Sequence, residues 1–369
     1  ISPGSRNAPL TIGFTHDPFF TCYSVVDERC AGFFALGMAQ EQEHPVALVC
    51  TSGSALLNYY PAIAEAFFSH IPLVVLSADR PEHLVGIGDG QTINQKDVFS
   101  NHILVSANLN ENMTEKEANE NNINSALNKA ILAKGPVHIN CPFNEPLYET
   151  IETLEVAPKV VEIENEEKII EAETLQECVE SWNTYSKKMI LVGVNPPNKI
   201  EQQILDKLAA DDSVIVFTET TSNIHHEQFF NSIDKIIAPL NEEEFEQLQP
   251  DILITFGGLI VSKKIKGFLR AYQPKHHWHI DEFKKMDTFF CLSEFIQDKP
   301  MHSLYRLCTE IFGVNGKKEL IKSKYQQKWL EIRDEKRVKH QQYLSKTKHS
   351  DFKVFEQVLE SIPNNCNLQ

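Results

Sequence analysis

No stretch of this chain approaches the roughly 20 consecutive apolar residues that cross a bilayer as a helix, and its first residues lack the basic and apolar regions of a secretory leader. Those absences predict a soluble protein with no membrane partner. Basic residues are also short: 35 Lys and Arg stand against 51 Asp and Glu, a formal net charge of -16 at pH 7. Such a balance argues against a nucleic-acid surface and against a polybasic membrane anchor, leaving small molecules and other subunits as partners. Missing as well is any C-x-x-C pair. The eight cysteines (Cys22, Cys30, Cys50, Cys141, Cys178, Cys291, Cys308 and Cys366) are scattered, several of them in apolar runs where a free thiol acts as a small buried hydrophobe. That usage fits a reducing, cytoplasmic compartment.

What the chain does have is alternation. Its 369 residues suffice for two domains or a little more, at about 150 residues each. Short runs rich in Val, Leu and Ile occur at 46–50, 72–77 and 136–140, then again at 189–194, 213–218, 251–256 and 278–280, with helical patterns between them. The pattern predicts an α/β fold of two doubly wound parallel-sheet domains, each sheet covered on both faces. Ile1 to Arg6 reads as a strand end entering a turn, Thr11 to Cys22 as a connection, and Tyr23 to Val26 as a short strand. Between 156 and 180 the composition turns acidic (Glu162, Glu164, Glu166, Glu167, Glu171, Glu173), which marks a boundary. The expected layout is a first domain at 1–150, an acidic linker and connecting helix at 151–180, a central domain at 181–318, and a charged connecting helix leading into a further domain at 319–369. That last helix shows no clear apolar stripe beyond Tyr325, Leu330 and Val338 and reads as solvated.

Chemistry concentrates around Asp27-Glu28-Arg29. A carboxylate there opens a helix over Cys30 to Glu43, the apolar strand Pro45 to Cys50 follows, and Thr51-Ser52-Gly53 turns into a second helix. Taken alone, this is a capped helix, its acid favoured by the helix dipole. Asp79 to Lys96 is a polar, glycine-rich loop after a strand, where open α/β sheets place their ligands. Gly86, Gly88 and Gly90 do not make a dinucleotide fingerprint, because the third glycine comes too early and no helix follows directly. Cys50-Thr-Ser-Gly-Ser54 is not the Gly-x-Ser-x-Gly elbow of a serine hydrolase, and no Asp and His follow in strand-end contexts. Gly257 and Gly258 either admit an anion at a helix start or pack a strand tightly on its helix; both readings stand. His138 lies in a strand pattern and reads as a core residue.

Glu28, its small-residue helix, the strand and Thr51-Ser52-Gly53-x-x-x-x-Asn58, taken together, resemble the pyrimidine-binding domain of thiamine-diphosphate (ThDP) enzymes. The family's usual Pro-Gly after Thr-Ser-Gly is Ser54-Ala55 here. Ser2-Pro3-Gly4-Ser5-Arg6, Ser77-Ala78-Asp79-Arg80-Pro81, Gly88-Asp89-Gly90-Gln91 and His138 through Leu147 are similar to the carboligases of that family that serve menaquinone biosynthesis. The resemblance is dense over residues 1–150 and thin beyond.

It implies ThDP as cofactor, decarboxylation of 2-oxoglutarate, and transfer of the succinyl unit to isochorismate. It implies a catalytic, cofactor-binding Glu28, a cofactor turn of Thr51, Ser52 and Gly53 with Asn58, and substrate contacts from Ser5, Arg6, Arg80, Gln91, Lys263 and Lys264. Arginine suits polycarboxylate substrates through its planar fork; the alternative for Arg6 and Arg80 is a structural ion pair with Asp27, Asp79 or Asp89. Where some relatives carry an amide before Gln91, this chain has Gly90. The resemblance further implies a transhydrogenase-like central domain and a truncated diphosphate-binding domain. It also places Mg²⁺ (or manganese) in that missing domain, with no metal ligand in this chain, and gives the full-length protein a homodimer or dimer of dimers. On this reading the sequence is a fragment cut at both ends, inactive by itself. The alternatives are another ThDP-dependent 2-oxo acid decarboxylase or carboligase, and a non-catalytic binding protein of the same fold. Retention of Glu28, Arg6 and Arg80 together favours an enzyme.

Overall fold

The computed structural model describes residues 1–153, 156–163, 167–313, 320–364 and 366. The chain divides into two compact units, Ile1–Glu166 and Glu167–Gln369. The division falls within the acidic stretch, of which 164–166 lie outside the described residues, as do 314–319 at the start of the expected connecting helix.

The first unit contains α1 (Ala8–His16), α2 (Glu28–Gln42), β1 (Val46–Cys50), α3 (Ser54–Leu57), α4 (Tyr60–Ser69), β2 (Leu73–Asp79), β3 (Val105–Asn108), α5 (Lys116–Leu132) and β4 (Val137–Pro142). Its sheet has the order β1-β2-β4-β3, and every pairing is parallel. Side chains alternate across a strand, so Leu73 and Val75 of β2 pack with Leu48, Cys50 and the inner faces of α2 and α4. Val74 turns the other way, toward Ala126 and Ala130 of α5. Both faces of the sheet are thus covered, as the near-continuous apolar strands predict. The inner face of α2 is built from Ala31, Gly32, Ala35, Leu36 and Ala39. Small residues are required there: a Cβ on Gly32 would stand 3.0 Å from that of Ala62 in α4.

Two local expectations are corrected in this unit, and one strand was not foreseen. Part of the Thr11 to Cys22 connection is helical, since α1 runs to His16. Tyr23 to Val26 forms no regular strand, yet Val25 N–H donates to Ile1 O at 3.0 Å while Ser2 N–H donates to Val49 O at 2.8 Å. Ile1 and Ser2 are therefore held between β1 and that extended segment. The short β3, whose residues are only partly buried apart from Ala107, carries too little apolar pattern to have been read from sequence.

The second unit contains α6 (Ala172–Thr184), β5 (Lys188–Val192), α7 (Gln202–Ala209), β6 (Val214–Thr218), α8 (Ile233–Ile237), α9 (Glu242–Leu248), β7 (Ile252–Phe256), α10 (Lys263–Ala271), β8 (His276–Ile280), β9 (Glu294–Ile296), α11 (Pro300–Phe312), α12 (Tyr325–Lys346) and α13 (Asp351–Ser361). Its five parallel strands run β6-β5-β7-β8-β9, a doubly wound order of flavodoxin type. Ile190 and Val192 face the core of α6, α7 and α11, whereas Met189 and Leu191 face that of α8, α10 and α12.

Two helices expected to be connectors belong to this core. In α6, Leu175, Cys178, Val179 and Trp182 are buried. The start of α12 is anchored by Tyr325 and Trp329, both buried, and by Gln326, whose Nε2 donates to the carbonyls of Ala209, Asp211 and Val214. Its anchors crowd into the first two turns, so the 22-residue average shows no stripe.

Candidate functional site

In the sheet of the first unit, Cys50 pairs with Ser77 and Ser77 with Asn140. The chain beyond these strands gathers at one edge, where open α/β sheets bind ligands. Glu28 opens α2 next to that edge; the N-cap is Asp27, whose Oδ1 accepts from Cys30 N–H at 3.1 Å. The cap duty therefore falls on Asp27 and leaves Glu28 half-buried with no hydrogen bond to its carboxylate among the described residues. Its charge is felt inside: burial is the main cause that raises the pKa of Cys50 and of Tyr59, and the Glu28 carboxylate raises both further. Arg29 pairs with Asp27 at 3.7 Å, both exposed, a contact worth little.

The turn after β1 is closely built. A Cβ on Gly4 would lie 2.5 Å from Thr51 Cβ, so Ser2 to Arg6 and Thr51 press together through a glycine. Gly53 takes φ +86°, and a Cβ there would meet Gln91 O at 2.9 Å. Only glycine satisfies both demands. Gln91, itself at φ +55° and exposed, thus lays its backbone over the turn. Ser52 is buried and its Oγ accepts from Arg80 Nη1 at 2.6 Å. Asn58 is exposed and donates to Ser54 O at 3.3 Å, which ties the helix turn and leaves its carbonyl oxygen to the outside.

Arg80 also donates from Nε to Asp89 Oδ2 at 2.8 Å, so an ion pair with Asp89 exists alongside its bond to the turn. Arg6 donates from Nη1 to Phe143 O at 2.9 Å and pairs with Glu145 at 3.3 Å, not with Asp27, Asp79 or Asp89. Both guanidinium groups act on buried Asp79 between them: burial raises its pKa, and a bond from Asn140, the Arg80 N–H, and then the Arg80 and Arg6 charges offset this in part. Ser5 is exposed in the turn before α1. Glu28, Ser5, Arg6, Thr51, Ser52, Gly53, Asn58, Arg80 and Gln91 all belong to this one unit.

Sequence reasoning missed the polar layer beneath. Gln95 is 1% exposed, and its Oε1 accepts from Gly53 N–H at 2.8 Å. Its Nε2 donates to Ala78 O at 3.1 Å and Asn140 Oδ1 at 2.8 Å. Ser77 Oγ donates to Asn140 Oδ1 at 2.8 Å, and Asn140 Nδ2 donates to Asp79 Oδ2 at 2.9 Å. With its proton so used, Ser77 Oγ accepts from His138 Nε2 at 2.7 Å. His138 is neutral with a bare, buried Nδ1; burial lowers its pKa to about 4. Glycine loops carry no hydrophobic period, so only the polar composition of 86–95 signalled this layer. Gly86 and Gly88 have positive φ and open surroundings, and no regular helix follows them. On the α5 face of the sheet lies a groove of about 820 Å³, lined mainly by apolar residues such as Phe14, Leu76 and Ile123, with Asn110, Glu111 and Asn119 also on its wall.

In the second unit the glycine question is answered by contact. A Cβ on Gly193 would fall 2.1 Å from Gly258 O, and Gly257 has φ +80°. The loops after β5 and β7 therefore close over the switch point of the sheet. At the start of α10, Glu219 accepts from Val261 N–H and Ser262 N–H at 2.8 and 2.7 Å. That carboxylate occupies the place an anion would take, so tight packing is the correct reading. Lys263 and Lys264 lie exposed in the first turn of α10.

A half-buried carboxylate on a helix start, a glycine turn and two arginines thus belong to one edge of the first unit's sheet. Residues 1–100 match the family described as thiamine pyrophosphate enzyme, N-terminal TPP binding domain. Over its whole length the chain is similar to curated proteins named 2-succinyl-5-enolpyruvyl-6-hydroxy-3-cyclohexene-1-carboxylate synthase, the enzyme called MenD. It is 54% identical to that of Flavobacterium johnsoniae and 53% to that of Flavobacterium psychrophilum, covering 65% of each. It is 35% identical to that of Porphyromonas gingivalis, covering 64%. The chain thus spans a little under two thirds of the length of these relatives. Its resemblance to the synthase extends through both units.

Proposed function

We propose that this chain is the pyrimidine-binding and central part of a ThDP-dependent carboligase that decarboxylates 2-oxoglutarate and joins the succinyl unit to isochorismate. The carrying observation is that the Glu28 carboxylate has no hydrogen-bond partner among the described residues, at a sheet edge whose turn requires Gly53, within a chain similar along its length to the synthase. The residues present fit the cofactor's aminopyrimidine ring, with Glu28 free to accept a ring proton and the glycine turn allowing backbone approach.

When bound, ThDP supplies a nucleophilic C2 carbon and an electron sink for decarboxylation. Glu28 would hold the pyrimidine ring nitrogen through its carboxylate, the arrangement that would make the ring's amino group a better base. Thr51, Ser52 and Gly53 would border that ring, with Asn58 tying the helix turn that follows. Arg80 and Arg6 hold substrate carboxylates, Ser5 and Gln91 supply polar contacts, and Lys263 and Lys264 add positive charge. The diphosphate and its Mg²⁺ fall to residues outside this chain, in the manner of a dimer that pairs two unlike cofactor domains in a reducing cytoplasm. Among the described residues no group of three His, Cys, Asp or Glu side chains is placed to hold a metal ion, and no helix is long and apolar enough to cross a membrane.

The test uses the full-length protein. Glu28→Gln keeps the shape and removes the charged acceptor, so exchange of the cofactor's C2 proton slows by about 10²–10⁴, the range for a positioned acid/base group. An unchanged exchange rate removes Glu28 from the mechanism. Release of CO₂ from 2-oxoglutarate in preference to other 2-oxo acids separates this reading from a different carboligase.

A further inference from the structure

We propose that Gln95 is the positioning residue of the cofactor turn, an inference that rests on the ThDP reading above. The turn is fixed from beneath by a single buried amide. Gly53 N–H has its acceptor in Gln95 Oε1, and Gln95 Nε2 is committed to Ala78 O and Asn140 Oδ1. The orientation of the amide is not a matter of choice: a backbone donor stands on one side and a backbone acceptor on the other, so only one flip satisfies both. Asn140 is fixed in turn, since its Oδ1 receives Gln95 Nε2 and Ser77 Oγ and its Nδ2 reaches Asp79.

The directed chain Gly53 to Gln95 to Asn140 to Asp79 ends where Asp79 Oδ1 accepts the backbone N–H of Arg80. Ser52, the neighbour of Gly53, closes the circuit through its own bond from Arg80. One buried side chain therefore sets the height of the turn that borders the pyrimidine ring, and shares its support with the strand end that bears Arg80. The five residues from Gln91, whose backbone would meet a Cβ on Gly53, to Gln95 make the site loop and the turn a single piece. Gln95 touches neither substrate nor cofactor on this account. It acts through Gly53.

The experiment compares Gln95→Ala and Gln95→Glu in the full-length protein with three readouts. The first is amide hydrogen exchange of Gly53 without cofactor, which should accelerate about tenfold in Gln95→Ala, the worth of one hydrogen bond. The second is calorimetric titration with ThDP and Mg²⁺, which should weaken, and the third is steady-state kinetics. A turn misplaced by a fraction of an ångström should lower kcat by up to about 10²-fold, while KM for the 2-oxo acid stays near wild type because Arg80 keeps Ser52 and Asp89. Gln95→Glu folds with its carboxyl neutral, accepts from Gly53, and donates one bond. On ionisation it faces the oxygens of Ala78 and Asn140, so its activity should show a new decline with rising pH that wild type lacks. Wild-type Gly53 exchange, ThDP affinity and kcat in Gln95→Ala overturn the inference alone. A wild-type protein that binds no ThDP overturns the functional reading, and the inference with it.

Discussion

The guanidinium of Arg80 donates to the hydroxyl of Ser52 at 2.6 Å, joining the arginine of one strand end to the turn after another. Its Nε is taken by Asp89, and Nη2 makes no hydrogen bond to a described residue. The Asp89 side chain is 43% exposed, and such a pair is worth at most about 1 kcal/mol. Arg80 is therefore aimed by Ser52 and Asp89 together.

For Arg80 the expected outcome is a split between substrate and cofactor. Arg80→Ala in the full-length protein should cost on the order of 2–5 kcal/mol in kcat/KM for the carboxylate substrates if the pair is desolvated, with ThDP affinity near wild type. Arg80→Lys should recover part, because a point charge cannot reproduce the fork. Kinetics with both substrates, together with ThDP titration, decide the matter. Equal loss of ThDP binding would show that Arg80 serves the fold.

A second prediction concerns acid. The unfolded chain protonates His138 near pH 6.5, whereas burial holds the folded residue at about 4. Between those values the unfolded state binds more protons, so stability is full above pH 6.5 and is lost as pH falls toward 4. The shift corresponds to about 3 kcal/mol. His277, in the second unit, is lowered to about 4 chiefly by burial, so the readout must be local. Hydrogen exchange of β2 and β4 against pH should show the loss, and His138→Gln, which can still donate to Ser77, should flatten it. An unaltered slope in that variant would assign the acid sensitivity elsewhere.

Much of this was legible in the chain. The parallel sheets followed from apolar runs such as 72–77 and 251–256, because strands buried on both faces need continuous apolar sequence. Other parts left no periodic trace. Gln95 and Asn140 are ordinary polar letters until the fold brings residues 42 and 45 positions apart into contact. Trp329 was hidden for the opposite reason, as one anchor in a long charged helix.

That anchor gives a third prediction. Trp329 is 0% exposed and packs edge-on against Phe217 at 5.2 Å. Trp329→Ala should destabilise the second unit by about 3–5 kcal/mol, and Val338→Ala, exposed on the same helix, by less than about 0.5 kcal/mol. Denaturant titration of both variants compares the two. Similar small losses would mean that α12 does not hold the unit.

The last prediction sets stability against binding. Lys263 and Lys264 stand in the first turn of α10, where the helix dipole disfavours cations. Neither makes a hydrogen bond or ion pair with a described residue. Glu219 sits on the amides of Val261 and Ser262 and offsets part of the local positive potential, yet two exposed cations at a helix start still cost stability. Replacing each with Gln should therefore raise the stability of the second unit by a few tenths of a kcal/mol, up to about 1 kcal/mol at low ionic strength. If the pair serves an anionic substrate, the same change should raise KM for the polycarboxylate substrates and flatten its dependence on salt, with ThDP affinity unmoved. Thermal melts and salt-dependent kinetics of the full-length Lys263→Gln/Lys264→Gln protein read both effects. Added stability with unchanged KM would leave the lysines without a substrate role, and lost stability would show that a partner within the complete protein holds them.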